Sequence, residues 1–245
     1  MTSTAHATSS MNIDFKYSPY FEDAQCHNWE VADLKQRQFD HLYRSRISHT
    51  GAQTPELKLG GQTLLAFCSN DYLGLANHPQ LISMAQKACA DYGVGSGASH
   101  PVVGHTDLHH ELEEALAELT QRPRALLFSS GYMANMGLMS SLLVRQDAIY
   151  QDRLNHASLL DGGLLSAAKF KRYQHNNTLD LERQLTNTQA RRHLVATDVV
   201  FSMDGDTAPL KPLSRLCTEH DAWLMIDDAH GFGVLGHNGG GSTLA

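Results

Sequence analysis

The stretch Leu224-Met-Ile-Asp-Asp-Ala-His-Gly-Phe-Gly233 decides the fold of this chain. Its apolar start, together with the preceding Trp223, is typical of a buried parallel strand, and two carboxylates, a histidine and a glycine-rich turn follow at once. Because functional groups of open α/β sheets gather at the carboxyl ends of strands, we expect Asp227 and His230 to lie in a ligand site. On its own, the stretch fits equally well a strand end with solvated acids.

The bulk composition indicates a globular protein without a nucleic-acid or membrane partner. With 42% hydrophobic and 18% charged residues, a chain of 245 residues suffices for one large α/β domain or two smaller ones. A formal charge of −7 and the lack of a Lys/Arg cluster argue against a nucleic-acid surface. The four cysteines form no CxxC pair, and neither a secretory signal nor an apolar run of bilayer length occurs. These features predict a cytoplasmic protein.

The first half of the chain predicts helices and one hairpin. Apolar spacing indicates a helix over residues 29–46, and a hairpin over residues 57–67 should turn on Gly60-Gly61. A second helix is expected between Pro79 and Gly93. Thr106 should cap a third, whose core-facing side chains are predicted to be Leu108, Leu112, Ala115, Leu116 and Leu119.

Strands and helices alternate through the rest of the chain. Helices are expected from Gly131, after Asn155-His156, after Thr178 and over residues 212–220. Short apolar runs predict strands at 125–128, 147–150, 170–173, 194–201 and 223–226. This alternation implies an α/β fold with a mainly parallel sheet flanked by helices.

Polar groups follow four of these strands. Gly131 opens a helix whose first amides form a ready anion site, His156 offers a flat imidazole, and Ser202 offers a hydroxyl donor. Each alone fits a structural role as a tight turn, a structural histidine or an Asp-stabilised turn. Together with Asp227 they suit pyridoxal 5'-phosphate, whose phosphate needs amides, whose ring needs a flat partner and whose pyridine nitrogen needs a carboxylate. The four segments are SSGY at 129–132, DRLNHAS at 152–158, FSMDGD at 201–206 and IDDAHGFG at 226–233.

No metal site is predicted. Fifteen histidines is a high count, yet no HExxH or similar ligand spacing occurs, and His109 and His110 should point to different faces of their helix. Asp204 and Asp206 flank a glycine, but the rest of an EF-hand loop is missing.

The motifs from about residue 64 to residue 241 closely resemble the α-oxoamine synthase branch of the fold-type I pyridoxal-phosphate enzymes. The resemblance implies the large domain of that fold at residues 51–245, preceded by a segment with one helix at residues 1–50. The matching motifs are SNDYLGL at 69–75, GVGSGAS at 93–99, SSGYMAN at 129–135, DRLNHASLLDG at 152–162, FSMDGDTAPL at 201–210 and LMIDDAHGFGVLG at 224–236.

The same resemblance implies roles around the cofactor ring. Asp227 would bond the pyridine nitrogen, and His156 would stack on the ring face. Ser202 and His230 would contact the side of the ring that carries the hydroxyl group. His156, Asp227 and His230 are therefore the expected catalytic residues.

Roles in phosphate and substrate binding are implied for residues elsewhere in the matching motifs. The backbone of Gly131 and Tyr132 would hold the cofactor phosphate. Asn70 would lie near the active site, and Arg44 or Arg46 would help to bind the acyl substrate.

Within the branch, SNDYLGL and DDAHG favour an acyltransferase of biotin biosynthesis. Such an enzyme condenses L-alanine with a pimeloyl thioester, from pimeloyl-CoA or a pimeloyl carrier protein, and releases carbon dioxide. Relatives that use glycine or serine, such as glycine C-acetyltransferase, are the alternative. Family members are homodimers, so a homodimer is expected for the intact enzyme.

The resemblance stops short of the family's cofactor-binding lysine. That lysine lies beyond the IDDAHG strand, whereas the seven lysines of this chain all precede Asp227. We therefore expect an N-terminal fragment that ends before the C-terminal small domain and is inactive by itself. A non-catalytic partner subunit is the other interpretation.

Overall fold

The computed structural model describes residues 27–44, 46 and 48–244, without the side chains of residues 27–31 and 244. Within these residues the chain forms two compact units. One contains the residues up to Gly51 together with Lys58–Leu64, and the other contains Ala52–Leu57 and the residues from Leu65 onward. None of the described helices has the length and apolar character needed to cross a bilayer.

The N-terminal helix is shorter than its apolar pattern predicts. Helix α1 spans His27–Phe39, whereas the pattern extends to residue 46. The backbone leaves the helical path at His41, where φ is +56°, and the amides of Leu42 and Tyr43 both turn back to the carbonyl of Arg37. This turn ends the helix although apolar residues continue beyond it.

The predicted hairpin forms as strands β1 (Glu56–Leu59) and β2 (Gln62–Leu65). Gly60 and Gly61 connect them with φ values of +53° and +82°. A two-residue turn of this hand requires positive φ at both positions, and glycine adopts it without a steric penalty.

A four-stranded parallel sheet forms the centre of the second unit, as the sequence predicts. Its strands are β3 (Ala148–Asp152), β4 (Lys169–Tyr173), β5 (His193–Asp198) and β6 (Ala222–Asp227), in the order β4-β3-β5-β6. The register places Asp198 directly opposite Asp227. Two carboxylates therefore meet at the carboxyl edge of the sheet, where polar groups from several chain segments converge.

Helices cover both faces of this sheet. Alternate residues of β3 belong to different core clusters: Ile149 packs with Met139 and Leu159, whereas Tyr150 packs with Leu181 and Leu213. Every residue of β3 is buried, as expected for an inner strand of a parallel sheet. The helices of the second unit are α2 (Pro79–Tyr92), α3 (Asp107–Leu119), α4 (Gly131–Leu142), α5 (Ala157–Leu165), α6 (Thr178–Thr186) and α7 (Leu210–Glu219).

The strand predicted at residues 125–128 is absent from the structure. No strand among the described residues pairs with it, and the Leu127 amide instead donates to Glu113 Oε1 at 3.0 Å. Leu126 and Phe128 remain 78% and 46% exposed. An apolar run becomes a strand only where another strand supplies its hydrogen bonds, and here the prediction was wrong.

The predicted core face of α3 was also wrong. None of its residues is buried, and Leu108, Leu112 and Leu119 all stay more than a third exposed. The apolar spacing gives the helix an apolar face, but among the described residues no element covers that face completely. The strand predicted over residues 194–201 likewise ends earlier, at Asp198, after which Val200 makes only an isolated bridge to Thr207.

Candidate active site

A pocket of about 150 Å³ opens at the carboxyl ends of β5 and β6, beside the N-termini of α4 and α5. It contains six residues that the sequence predicts for cofactor binding. Its lining consists of Gly131, Tyr132, His156, Ser158, Asp198, Val200, Ser202, Asp227, Ala229 and His230.

The Asp227 carboxylate is held in a fixed orientation at the end of β6. Its Oδ2 accepts a hydrogen bond of 2.7 Å from Asn135 Nδ2, and its Oδ1 accepts one of 3.1 Å from the Ala229 amide. Asn135 is buried within α4, and the same Nδ2 also donates to Ser158 Oγ at 2.9 Å. Since each carboxylate oxygen can accept two hydrogen bonds, Asp227 can still accept a hydrogen bond from a ligand.

The His156 ring is fixed by its position as the N-cap of α5. Its Nδ1 accepts the Ser158 amide at 3.2 Å and lies 2.7 Å from Ser158 Oγ. Because Ser158 Oγ accepts from Asn135, its own proton is directed to the imidazole. A continuous row of hydrogen bonds thus connects Asp227 to His156, and the neutral ring carries its proton on Nε2.

The N-terminus of α4 supplies the pocket with unpaired amides. Ser130 caps the helix by accepting the Met133 amide at 3.2 Å, and Gly131 and Tyr132 are the first helical residues. Their amides have no partner within the helix, and the helix dipole favours an anion there. A Cβ atom at Gly131 would meet no other atom within 4 Å, so a ligand can approach the turn.

Residues 62–243 match the aminotransferase class I and II family. This chain belongs to that family. Its curated relatives include an 8-amino-7-oxononanoate synthase of Cellvibrio japonicus, 58% identical over 212 residues that cover 86% of this chain and 53% of the relative. One from Nitrosococcus oceani is 59% identical over 211 residues, covering 86% and 56%. The chain therefore spans about half the length of the curated relatives it matches.

Solved structures of two named enzymes share this fold. A serine palmitoyltransferase from S. paucimobilis with a bound PLP-myriocin aldimine matches with a TM-score of 0.82 and 29% identity, over 90% of this chain and 56% of that one. An 8-amino-7-oxononanoate synthase from Francisella tularensis matches with a TM-score of 0.61 and 34% identity, over 73% and 49%. These matches confirm the expected fold, a parallel sheet flanked by helices as in the large domain of the fold-type I pyridoxal-phosphate enzymes.

In this family member, Asp198 is a pocket residue that the sequence reasoning missed. Its Oδ2 accepts the His156 amide at 2.6 Å, and the side chain lies at the buried end of β5. Burial raises the pKa of the Asp198 carboxyl to about 6; the hydrogen bond from His156 lowers it, and the nearby charge of Asp227 raises it. The signal in the sequence is a carboxylate inside an otherwise apolar strand.

Tyr72 is a second residue that was missed, and it connects Asn70 to the pocket. Its hydroxyl lies 2.6 Å from His230 Nδ1 and 3.4 Å from Asn70 Oδ1. If the hydroxyl donates to Asn70, it accepts the Nδ1 proton of His230. Asn70 therefore lies beside the pocket without lining it.

The remaining candidates are less constrained. Ser202 lines the pocket as an exposed side chain at the end of the segment that follows β5. Arg44 and Arg46 are exposed residues of the first unit and are not among the pocket-lining residues, so their role in substrate binding stays a prediction.

Proposed function

We propose that this chain provides the pyridoxal 5'-phosphate site of an 8-amino-7-oxononanoate synthase, which condenses L-alanine with a pimeloyl thioester in biotin biosynthesis. The observation that carries the proposal is the convergence of Gly131, His156 and Asp227 in one pocket, from three separate segments of the chain. Curated relatives of that name are 58% and 59% identical to this chain.

The chemistry of the lining residues fits this cofactor. The amides of Gly131 and Tyr132 at the positive end of α4 would hold the phosphate. The carboxylate of Asp227 would face the pyridine nitrogen, with His156 against the ring. Ser202 and His230 would contact the hydroxyl side of the ring. The pocket is smaller than the roughly 300–1,000 Å³ of most ligand sites, so it would enclose the ring and leave the substrate side open.

The bound cofactor would supply an electron sink for the negative charge that forms on the amino-acid substrate. Asp227 would keep the pyridine nitrogen protonated, because an adjacent negative charge favours the cationic form. Asn135 holds the Asp227 carboxylate in place by its hydrogen bond, and Ser158 connects Asn135 to His156. These residues are set before a ligand binds, so the site needs little reorganisation.

Activity is tested by a chimera in which this chain replaces the matching half of the Cellvibrio japonicus relative. We expect product from L-alanine and pimeloyl-CoA, and at least about a 100-fold loss in Asp227→Asn. Asp221→Asn is the matched control, since Asp221 is exposed at the opposite end of β6 and its positive φ suits asparagine. A chimera that folds but turns over neither L-alanine nor the competing amino acids would contradict the proposal.

The same assay decides between substrates. The serine palmitoyltransferase from S. paucimobilis superposes with a higher TM-score than the 8-amino-7-oxononanoate synthase from Francisella tularensis, 0.82 against 0.61, so L-serine is the competitor to include beside glycine. The sequence identities favour L-alanine. Faster turnover of L-serine or glycine would place the chain elsewhere in the same family.

A further inference from the structure

Four histidines gather where the π-helical turn His100–Gly104 leads into α3. The ring centroids of His100 and His105 lie 5.2 Å apart, those of His100 and His109 4.8 Å apart, and those of His105 and His110 6.1 Å apart. None of these residues lines the pocket described above. The cluster thus has no part in the proposed cofactor site.

Three side chains of this region present metal-ligating atoms to one another. One ligand atom each from His105, His110 and Glu113 lies within 4.8 Å of the other two. His110 and Glu113 are three residues apart on α3 and share one helix face, while His105 precedes the helix. Ligands of a tetrahedral zinc ion with bonds of about 2.0–2.2 Å are separated by roughly 3.5 Å. Small rotations of these accessible side chains would therefore close the site.

Two of the three ligands are already oriented by a second partner. Glu113 Oε1 accepts the Leu127 amide at 3.0 Å, which leaves its other oxygen free. His105 Nδ1 lies 2.9 Å from His100 Nδ1, so one ring donates to the other. Metal ligands in proteins are commonly held in this way by hydrogen bonds from outside the coordination sphere.

The surrounding charges favour a cation overall. The positive end of the α3 dipole opposes a cation near His105 and His110. Four carboxylates in the first two turns of α3 offset this effect: Asp107, Glu111, Glu113 and Glu114. His110 Nε2 lies 3.3 Å from Glu114 Oε1, but both groups are well exposed, and such a pair contributes little that a metal would have to replace.

We propose that His105, His110 and Glu113 bind a divalent transition-metal ion of the zinc class. Two imidazoles and one carboxylate suit Zn²⁺ and leave a fourth position for water. His100 is a positioning residue that orients His105. This site is independent of the proposed activity and does not require pyridoxal 5'-phosphate.

The test is calorimetric titration of the metal-stripped chain with Zn²⁺. We expect one ion per chain and at least about a ten-fold weaker affinity in His110→Ala and in Glu113→Gln. Glu113→Gln keeps the acceptor for the Leu127 amide but replaces the second oxygen, which would face the metal, with an NH2 group that is a poor ligand. His237→Ala is the matched control, because His237 is exposed and lies outside the cluster.

Two results would overturn the proposal. One is no binding of Zn²⁺, or several weak ions per chain whose affinity falls equally in His110→Ala and His237→Ala, which indicates diffuse binding to surface histidines. The other is an affinity for Zn²⁺ that stays unchanged in both single variants, Glu113→Gln and His110→Ala. Co²⁺ provides an independent check, since the intense visible absorption of tetrahedral coordination should appear in the unmodified chain and vanish in His110→Ala.

Discussion

The segment from Gly131 to Asp227 and the segment from Pro79 to Phe128 carry similar apolar patterns but differ in what covers them. In the first, Met139, Ile149 and Leu159 are fully buried. In the second, α2 and α3 contain no buried residue, and Leu126 is 78% exposed. Periodicity specifies which face of an element is apolar, whereas burial depends on a partner that lies elsewhere in the chain or assembly.

The difference extends to polar groups. At the carboxyl edge of the sheet, Asp198 and Asn135 are buried and each has a defined hydrogen-bond partner. On α2 and α3, the side-chain pairs of Lys87 with Asp91 and of His110 with Glu114 are exposed. Substitutions in the first segment should therefore change the stability of the fold strongly, and equivalent substitutions in the second should change it little.

The largest expected effect compares two leucines. Leu159→Ala should lower the free energy of unfolding by about 3 kcal/mol, because a fully buried side chain is lost and a cavity remains. Leu126→Ala should change it by less than about 0.5 kcal/mol. Urea denaturation of both variants measures the two values. Equal losses would show that residues 125–128 are covered in solution.

An effect of at most the same size is expected at Asp198, where burial destabilises the charged form of the carboxyl. Its folded pKa of about 6 exceeds the value of about 3.9 expected in the unfolded chain, so the folded state holds the proton more tightly. This contribution to stability is present at low pH and is lost as the pH rises from about 4 to about 6.

Asp198→Asn should remove that dependence and stabilise the ligand-free protein above pH 6 by up to about 3 kcal/mol. The asparagine oxygen can still accept the His156 amide. Melting temperatures at low and neutral pH measure the effect, with Asp221→Asn as the control. A destabilised Asp198→Asn variant at neutral pH would contradict this account of the carboxyl.

The smallest effect concerns His175, whose ring bridges two carboxylates. Nδ1 lies 2.9 Å from Asp152 Oδ1, and Nε2 lies 2.8 Å from Asp206 Oδ2. Burial lowers the pKa of His175, but the hydrogen bonds and charges of Asp152 and Asp206 outweigh this and raise it above the usual value.

A histidine with a raised folded pKa stabilises the fold fully below its unfolded pKa of about 6.5. That contribution is lost as the pH rises through the folded pKa. Urea denaturation across this window should show the loss in the unmodified chain and not in His175→Gln. His110→Gln, at an exposed pair on α3, should retain the full dependence. An unchanged pH profile in His175→Gln would assign the loss to other groups.

Much of the sheet in the segment from Gly131 to Asp227 could be predicted, because the sequence signals that mark its strands are local. The apolar run up to Ile226 lies between Asp221 and Asp227, so β6 was predicted nearly to its ends. Gly93 and Thr106 likewise marked the end of α2 and the start of α3. The pocket gathered residues such as His156 and Asp227 because all of them follow strands whose ends meet at one edge.

The rest required contacts that no local pattern contains. Asn135 lies in the middle of α4 and reaches Asp227 across 92 residues, and Tyr72 reaches His230 across 158. Asp198 was not predicted as a site residue because the apolar run continues past it to Phe201, although β5 itself ends at Asp198. The grouping of His105 with His110 and Glu113 depends on the turn before α3, whose π-helical geometry the sequence did not indicate.

Nitrogen NMR of ¹⁵N-labelled pyridoxal 5'-phosphate measures whether Asp227 lies against the ring nitrogen of the bound cofactor, as we propose. The spectrum is recorded at a pH where the free ring nitrogen is unprotonated, with the chain, Asp227→Asn and Asp221→Asn. We expect the shift of a protonated nitrogen with the chain and with Asp221→Asn, and of an unprotonated nitrogen with Asp227→Asn. The same shift in all three samples, with the cofactor bound in each, would show that Asp227 does not contact the ring nitrogen.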